Sequence, residues 1–296
     1  MSYDDIIEDT FPENWNDDLV NLSTIQDIFE VSPEDLRAIA SIFPSLRNQF
    51  NINGLMDFSN QMKSWVEGVL KKSDDGIFIR TSYGSFKQNP FSYAPITSWS
   101  DINSTFRWPD TRIEKFLRNR LTFGEPIHII ASPWYDIPSW SEFRVFIRER
   151  KTVGVSQYNH HQAYTEINTH IDAIKASLLD LNDQLIEALH MDTVIADVFM
   201  KQQSDGKLKA IIIEINPFIQ QADPCLFSWN NGGDFDGTFR FRKNVHNPYR
   251  GKYSQIVQRS ELEVFRESDY GRQGGEELPK IGENTLQSFD SSQYRR

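Results

Sequence analysis

Two strongly apolar segments, residues 194–200 and 209–215, constrain the fold of this chain more than any other feature. Residues 204–207 between them read Ser-Asp-Gly-Lys, and an Asp-Gly pair is typical of the two-residue turn of a β-hairpin. With such a turn, the antiparallel register places Asp197 opposite Glu214. The sequence therefore predicts a hairpin of two apolar strands, each of which carries one acidic residue at the same level.

The predicted pairing of Asp197 with Glu214 needs an explanation, because opposed carboxylates repel each other within apolar strands. Asn216 follows two residues after Glu214 and so lies on the same face of its strand, where it adds an amide. Oxygen ligands suit Mg²⁺, which combines one or two carboxylates with water and substrate phosphates. We predict a metal–nucleotide site with Asp197, Glu214 and Asn216 as metal ligands. In the alternative interpretation, one carboxyl group is protonated or turned to solvent at a sheet edge.

The remaining elements follow from hydrophobic spacing. Residues 164–189 carry apolar side chains three and four positions apart, which predicts an amphipathic helix before the hairpin. Shorter helices are predicted over residues 55–72 and after Ser32, where Ser-Pro-Glu-Asp is typical of a helix start. Strands are predicted over residues 77–80, 127–131, 143–148 and 153–158.

Aromatic content and charge exclude two classes of protein. The 296 residues include 7 Trp, 10 Tyr and 21 Phe, enough to build substantial cores, so the chain is not disordered as a whole. The net charge of −11 disfavours general binding to nucleic acid backbones, and no DNA partner is expected. Residues 1–60 contribute −10 of this charge. We interpret the acidic segment as a solvated face, with a contact for a basic partner as the alternative.

The sequence also predicts where the protein resides. Cys225 is the single cysteine and the N-terminal residues do not resemble a secretory signal, so we expect a cytoplasmic protein. Apolar stretches are shorter than the roughly 20 residues that span a bilayer, and no membrane partner is expected. HExxH and paired CxxC motifs are absent, which argues against a zinc site. We interpret Cys225 as a small buried apolar residue, and the pair His160 and His161 as surface residues or, alternatively, as part of a cleft.

Basic side chains that could bind phosphate lie upstream of the hairpin. Arg80 ends the predicted strand 77–80, and Lys87 follows in a glycine-containing loop. Arg144 and Arg148 share one face of another predicted strand. These residues could bind phosphate groups, or they could be solvated charges and ordinary cross-strand ion pairs. The chain contains neither a Walker loop nor a GxGxxG motif, so the P-loop and Rossmann types of nucleotide site have no support.

Six motifs between residues 77 and 229 occur in a characteristic order, and they read IFIRTSYGSFK, EPIHIIASPWY, EFRVFIRERKTVGVSQY, ADVFM, IIIEINPF and ADPCLFSW. Together they resemble the cell division cycle protein 123 family, a divergent branch of the ATP-grasp superfamily. The resemblance implies an α+β ATP-grasp fold. In this fold, two lobes with antiparallel sheets and flanking helices hold ATP and Mg²⁺ between them.

This resemblance, taken with the composition, divides the chain into four parts. Residues 1–60 form an acidic, largely helical N-terminal region, and residues 61–132 form the smaller lobe with a phosphate loop. The larger lobe with the metal site spans residues 133–266. Residues 267–296 are polar and rich in glycine, and we predict a disordered tail.

The resemblance also implies roles for individual residues. It assigns Asp197, Glu214 and Asn216 to the metal, in agreement with the hairpin argument. Ile130 and Ser132 fall at the hinge that holds adenine through backbone groups. The full set implied to bind the nucleotide is Arg80, Tyr83, Ser85, Lys87, Ile130, Ser132 and Arg144, and the catalytic residues among them are Lys87 and Arg144.

Two departures from the family pattern keep the charge, with Glu214 in place of Asp and Arg80 in place of Lys. The first 60 residues do not match the family's usual opening. The resemblance implies an ATP-dependent assembly chaperone for a translation factor such as initiation factor two. The alternative is a carboxylate–amine ligase that joins a protein or peptide substrate through an acyl phosphate. A further alternative is an interaction module that no longer binds a nucleotide.

Overall fold

The computed structural model describes residues 3–247 and 252–261, whose strands form two sheets flanked by helices. The strands are β1 (Asp27–Glu30), β2 (Ile77–Thr81), β3 (His128–Pro133), β4 (Glu142–Arg148), β5 (Lys151–Gln157), β6 (Val194–Gln202), β7 (Leu208–Pro217), β8 (Thr238–Asn247) and β9 (Lys252–Glu261). The α-helices are α1 (Tyr3–Glu8), α2 (Asp17–Asn21), α3 (Pro33–Ala40), α4 (Pro44–Phe50), α5 (Asn60–Leu70), α6 (Trp99–Phe106), α7 (Thr111–Phe123), α8 (Thr165–Thr169) and α9 (Ile171–Ala188). Single turns of 3-10 helix lie at Pro12–Asn14, Pro90–Tyr93 and Asn230–Gly232.

The smaller lobe is a three-stranded antiparallel sheet, in the order β1-β3-β2, packed against helices α3 to α7. Its helices begin where side chains cap free backbone N–H groups. Ser32 accepts from Asp35 N, as the sequence predicts, and Ser59 accepts from Met62 N. The second cap explains why α5 begins at Asn60, later than the predicted helix over residues 55–72.

The larger lobe is a six-stranded sheet in the order β7-β6-β4-β5-β8-β9. Helix α9 covers one face of this sheet with Ile174, Leu178, Leu181 and Leu185, at the predicted spacing. The predicted helix over residues 164–189 is in fact two helices, α8 and α9, because the backbone at His170 leaves the helical conformation. The strands of this sheet pair antiparallel, as predicted, except β5 and β8, which run parallel.

The acidic segment 1–60 contributes to both lobes. Leu19 of α2 is fully buried in the core of the larger lobe, whereas β1 is an edge strand of the smaller sheet. Between these elements the chain pairs with β7, where Thr24 N donates to Ile212 O and Ile212 N donates to Leu22 O, both at 2.9 Å. This segment therefore links the two sheets.

The predicted hairpin is β6 and β7, and it corrects one expectation. Gln203 N bonds to Lys207 O and Gln202 pairs with Leu208, so three residues and not two form the turn. This turn alone would shift the register by one residue. A β-bulge between Asp197 and Val198 compensates for the shift, and Asp197 pairs with Glu214 as predicted.

Two further predictions concern the C-terminal tail and membrane-spanning helices. The predicted tail, residues 267–296, lies outside the described residues. Of the helices that the structure describes, none combines the length and the hydrophobicity needed to cross a membrane.

Candidate functional site

The site is built around an ion pair within the larger sheet. Arg144 of β4 lies directly opposite Asp197 of β6. Arg144 Nε donates to Asp197 Oδ1 and Arg144 Nη2 donates to Asp197 Oδ2, each at 2.7 Å, so the contact is bidentate. The remaining Nη1 donates to Asp223 O at 2.7 Å, and the guanidinium stacks on the Tyr158 ring at 4.9 Å. Neighbouring strands and the loop after β7 thus fix Arg144.

Glu214 and Asn216 complete the group of three residues that the sequence assigns to a metal. The Asn216 amide donates from Nδ2 to Asp197 Oδ2 at 3.1 Å and to Glu214 Oε1 at 3.2 Å. One oxygen from each carboxylate therefore lies within hydrogen-bond distance of the same nitrogen. The structure brings Asp197, Glu214 and Asn216 together, and their assignment as metal ligands stays a prediction.

The smaller lobe contributes positive charge to the same place. Arg80 at the end of β2 donates from Nη1 to Glu214 Oε2 at 2.5 Å. Lys87, in the loop after β2, acts through its charge on Glu214 and on Glu142 of β4. The two carboxylates of the hairpin are therefore offset by arginines from different lobes, Arg144 and Arg80.

The pKa values of the two carboxyl groups shift in opposite directions. Burial raises the pKa of Asp197 to about 7, although the Arg144 guanidinium opposes this shift. Burial also acts to raise the pKa of Glu214, but the charges of Arg80 and Lys87 outweigh it and lower this pKa to about 2. The two environments therefore act in opposite directions, and the pKa of Asp197 is the higher of the two. Arg80 and Arg144 offset the two opposed carboxylates, and both interpretations from the sequence, a bound metal or a protonated carboxyl group, stay predictions.

The donor set of this cluster fits Mg²⁺. Two carboxylates and one side-chain amide supply hard oxygen ligands, and Mg²⁺ fills its other positions with water and phosphate oxygens. Each carboxylate oxygen has two lone pairs, so the contacts with Arg144, Arg80 and Asn216 leave acceptor capacity for an ion. The residues that would hold the metal are therefore Asp197, Glu214 and Asn216.

Two residues of the predicted phosphate loop face other parts of the smaller lobe. Tyr83 stacks on Phe116 of α7, with ring centroids 5.1 Å apart, and is 44% exposed. Ser85 pairs with Arg80 across the loop, and its carbonyl accepts from Arg112 Nη2 at 3.0 Å. Their assignment to the nucleotide stays a prediction, and the contacts described here link them to the scaffold of the loop.

The predicted hinge residues Ile130 and Ser132 lie inside β3, the central strand of the smaller sheet. Ile130 pairs with Arg80 and Ser132 pairs with Phe78 of β2. On either side of these two pairs, Ser82 N donates to His128 O and Trp134 N donates to Gly76 O. Along the chain, His128 lies two residues before Ile130 and Trp134 lies two residues after Ser132. In antiparallel pairing this alternation directs the backbone groups of Ile130 and Ser132 to β2. The sheet therefore already uses the backbone groups that the hinge assignment offers to adenine.

Sequence reasoning missed two residues of the site. Glu142 lies two residues before Arg144 on the same face of β4, and burial raises its pKa. Strand alternation alone could have found it. Tyr158, whose ring contacts Arg144, lies in a loop whose conformation no periodic pattern reveals. The sequence offers Asp223 as a supporting residue of the site or as a cap, and its backbone carbonyl contacts Arg144.

The sequence of this chain matches a family of known proteins. The D123 family model matches residues 114–267, slightly more than half of the chain and including the strands from β3 to β9. Cell division cycle protein 123 of Eremothecium gossypii is 31% identical over 111 residues, which cover 37% of this chain and 30% of that protein. The translation initiation factor eIF2 assembly protein of Candida albicans is 29% identical over 149 residues, 46% of this chain and 39% of that protein. The matched segments thus span only about a third of each relative.

The fold has a counterpart among solved structures. Cdc123 from Schizosaccharomyces pombe superposes with a TM-score of 0.59 at 14% sequence identity, and the match covers 77% of this chain and 91% of that one. The likeness confirms the predicted two-lobed α+β fold, which the sequence motifs link to the ATP-grasp superfamily.

Proposed function

This chain belongs to the D123 family, and we propose that it binds ATP and Mg²⁺ between its lobes and acts in the cytoplasm as an assembly factor for a translation initiation factor. Relatives from Candida albicans and Xenopus laevis carry the name translation initiation factor eIF2 assembly protein. The matched segments cover 39% and 29% of these relatives, so the partner and activity of this chain are part of the proposal.

One observation carries the nucleotide part of the proposal. Two carboxylates on β6 and β7 contact arginines from both lobes, and the amide of Asn216 donates to both carboxylates. Structural ion pairs rarely place two acidic groups side by side in buried strands, because removing both charges from water is unfavourable. A bound cation with a polyphosphate explains why such an arrangement would be kept.

The residues of the cluster divide into proposed metal ligands and proposed phosphate-binding residues. Asp197, Glu214 and Asn216 would hold Mg²⁺, which when bound neutralises charge on phosphate oxygens. The Arg144 and Arg80 guanidinium groups would bind phosphate oxygens from the two sides of the cleft. The nucleotide site that we propose consists of Arg80, Tyr83, Ser85, Lys87 and Arg144. Ile130 and Ser132 are left out because their backbone groups pair within the sheet.

Urea denaturation with and without ATP and Mg²⁺ tests the nucleotide site. A ligand at one hundred times its dissociation constant should raise the free energy of unfolding by about 2.7 kcal/mol. Glu214→Gln and Asp197→Asn keep the size of the side chains and remove the charge, and both should abolish this increase. Glu187→Gln, on the exposed face of α9, is the matched control and should leave the increase unchanged.

The same experiment can refute the proposal. If ATP stabilises the protein equally with EDTA in place of Mg²⁺, or if both variants keep the increase, the metal assignment is wrong. If ATP with Mg²⁺ has no effect on the wild-type chain, the protein is better described as an interaction module without a nucleotide.

The partner needs a separate experiment, in which purified subunits of initiation factor two are mixed with the chain. An assembly factor should increase the yield of assembled factor only when ATP is present, and Glu214→Gln should lose this effect. Sustained ADP release that depends on added carboxylate and amine substrates, without any effect on assembly, would instead favour a ligase.

A further inference from the structure

Two loops bring a different set of potential ligand atoms together next to Arg144. His160 lies in the loop after β5, and Asp223 and Cys225 lie in the loop after β7. A ring nitrogen of His160, a carboxylate oxygen of Asp223 and the Cys225 sulfur all lie within 4.8 Å of one another. Neither Asp197 nor Glu214 belongs to this group, although Arg144 contacts both Asp197 and the backbone of Asp223.

We propose that His160, Asp223 and Cys225 form a second metal site, for a transition-metal dication such as Zn²⁺ or Co²⁺. Imidazole and thiolate ligands select these ions over Mg²⁺, which prefers oxygen ligands. Three protein ligands leave a fourth tetrahedral position open for water or for an atom of another molecule, as in zinc sites with an exchangeable ligand. The proposal is independent of ATP binding.

The orientation of His160 supports the site. Its Nδ1 lies 3.1 Å from the Tyr158 carbonyl oxygen, which can only accept a hydrogen bond. In the neutral ring this contact places the proton on Nδ1 and leaves Nε2 as the nitrogen that can bind a metal. A hydrogen bond from one ring nitrogen to a backbone carbonyl is the usual arrangement of a histidine that binds metal through the other nitrogen.

The Asp223 loop is fixed from two sides. Asp223 Oδ1 accepts from Cys225 N at 2.8 Å, which holds the two side chains near each other across Pro224 and leaves Oδ2 for a ligand bond. Cys225 adopts a left-handed backbone with φ of 55°, an uncommon conformation for a residue other than glycine. The bond from Arg144 Nη1 to the Asp223 carbonyl anchors the loop to β4. The ligand set is therefore held in position before any ion arrives.

Metal binding at this site would change the state of the thiol. Burial raises the pKa of Cys225 to about 12, so the thiol carries its proton at neutral pH. When the sulfur–metal bond forms, the S–H bond breaks and the proton leaves to solvent. This chemistry differs from the apolar role expected from the sequence. The site was missed because His160 lies 63 residues before Asp223 and 65 before Cys225, and the three match no local motif.

Co²⁺ titration of the full chain tests the proposal by absorption spectroscopy. Because Cys225 is the single cysteine, an intense near-ultraviolet band from sulfur to cobalt can arise only from its thiolate. The band should appear in the wild-type protein and disappear in Cys225→Ser. His160→Ala and Asp223→Asn should weaken the affinity for Co²⁺ by at least about tenfold, whereas His190→Ala, an exposed histidine after α9, should have no effect.

Asp223→Asn is the sharpest variant, because the asparagine oxygen can still accept from Cys225 N while the charge is removed. Urea denaturation without metal checks that each variant folds like the wild type. If a variant does not fold, the wild-type protein is tested by alkylation of its thiol instead. Bound Zn²⁺ should then slow the alkylation of Cys225. The proposal is wrong if Co²⁺ gives no such band, if His160→Ala and Asp223→Asn bind Co²⁺ as tightly as the wild type, or if Zn²⁺ leaves the alkylation rate unchanged.

Discussion

The two arginine–carboxylate pairs of the candidate site contain the same chemical groups but are built in different ways. Arg144 and Asp197 belong to neighbouring strands of one sheet, and their side chains are 7% and 5% exposed. Arg80 and Glu214 belong to different lobes, and their side chains are 11% and 22% exposed. The first pair makes two hydrogen bonds, whereas the second makes one.

The Arg144 pair is therefore a structural contact within one sheet, whereas the Arg80 pair is a contact between lobes that can adjust. The register of β4 and β6 holds the backbones of Arg144 and Asp197 opposite each other, and a third hydrogen bond holds the Arg144 guanidinium at the Asp223 carbonyl. The Arg80 contact depends on how the smaller lobe lies against β7, and a small displacement of that lobe would break it. We infer that the larger lobe provides the rigid half of the site and that the smaller lobe provides the half that can respond to a ligand.

Replacement of Arg144 should have the largest effect on stability. In Arg144→Met the buried Asp197 carboxyl loses its partner, and removing one member of a buried ion pair costs about 3–5 kcal/mol. Urea denaturation measures this loss. Arg148→Met, at the end of the same strand, is the control and should cost less than about 1 kcal/mol. Equal losses in the two variants would contradict the structural role of the Arg144 pair.

Replacement of Arg80 should have an intermediate effect. A hydrogen bond to a charged group contributes about 1.5–3 kcal/mol, and Arg80→Met removes one such bond between the lobes. Lys72→Met is the control, because the Lys72 side chain is 56% exposed in its pair with Asp27 and should contribute less than about 1 kcal/mol.

A double-mutant cycle sharpens this second test. Arg80→Met and Glu214→Gln should be coupled by about 0.5–3 kcal/mol, whereas Arg80→Met and Asp197→Asn should be coupled more weakly because Arg80 does not bond to Asp197. If the free energies of Arg80→Met and Glu214→Gln simply add, the contact between the lobes does not form in solution.

The sequence predicts the pairing of Asp197 with Glu214, but for a reason that is only partly correct. The turn is one residue longer than predicted, and the bulge beside Asp197 restores the register. Each change alone would move a set of side chains to the opposite face. Because the longer turn and the bulge cancel, the register that a two-residue turn would set is correct at the carboxylates, although neither the turn nor the bulge was predicted.

Long-range partners could not be predicted from the sequence. Arg80 and Glu214 are 134 residues apart, and no periodic pattern relates them. The hinge assignment of Ile130 and Ser132 needs knowledge of which backbone groups the neighbouring strand uses, and this depends on the pairing of β2 with β3. By contrast, the buried face of α9 follows directly from the spacing of leucine and isoleucine.

A third ion pair extends the comparison, because it contains a histidine and joins the N-terminal segment to β3. His128 Nδ1 lies 3.0 Å from Glu13 Oε1, and the hydrogen bond to Glu13 raises the pKa of His128 above its ordinary value of 6.5. The stabilisation is therefore complete below pH 6.5 and is lost as pH rises through the higher pKa of the folded state. In urea denaturation, the advantage of the wild type over His128→Gln should shrink from mildly acidic to mildly alkaline pH. His190→Gln, on an exposed histidine, should show no such trend, and a constant advantage for the wild type would mean that His128 contributes by packing and not by charge.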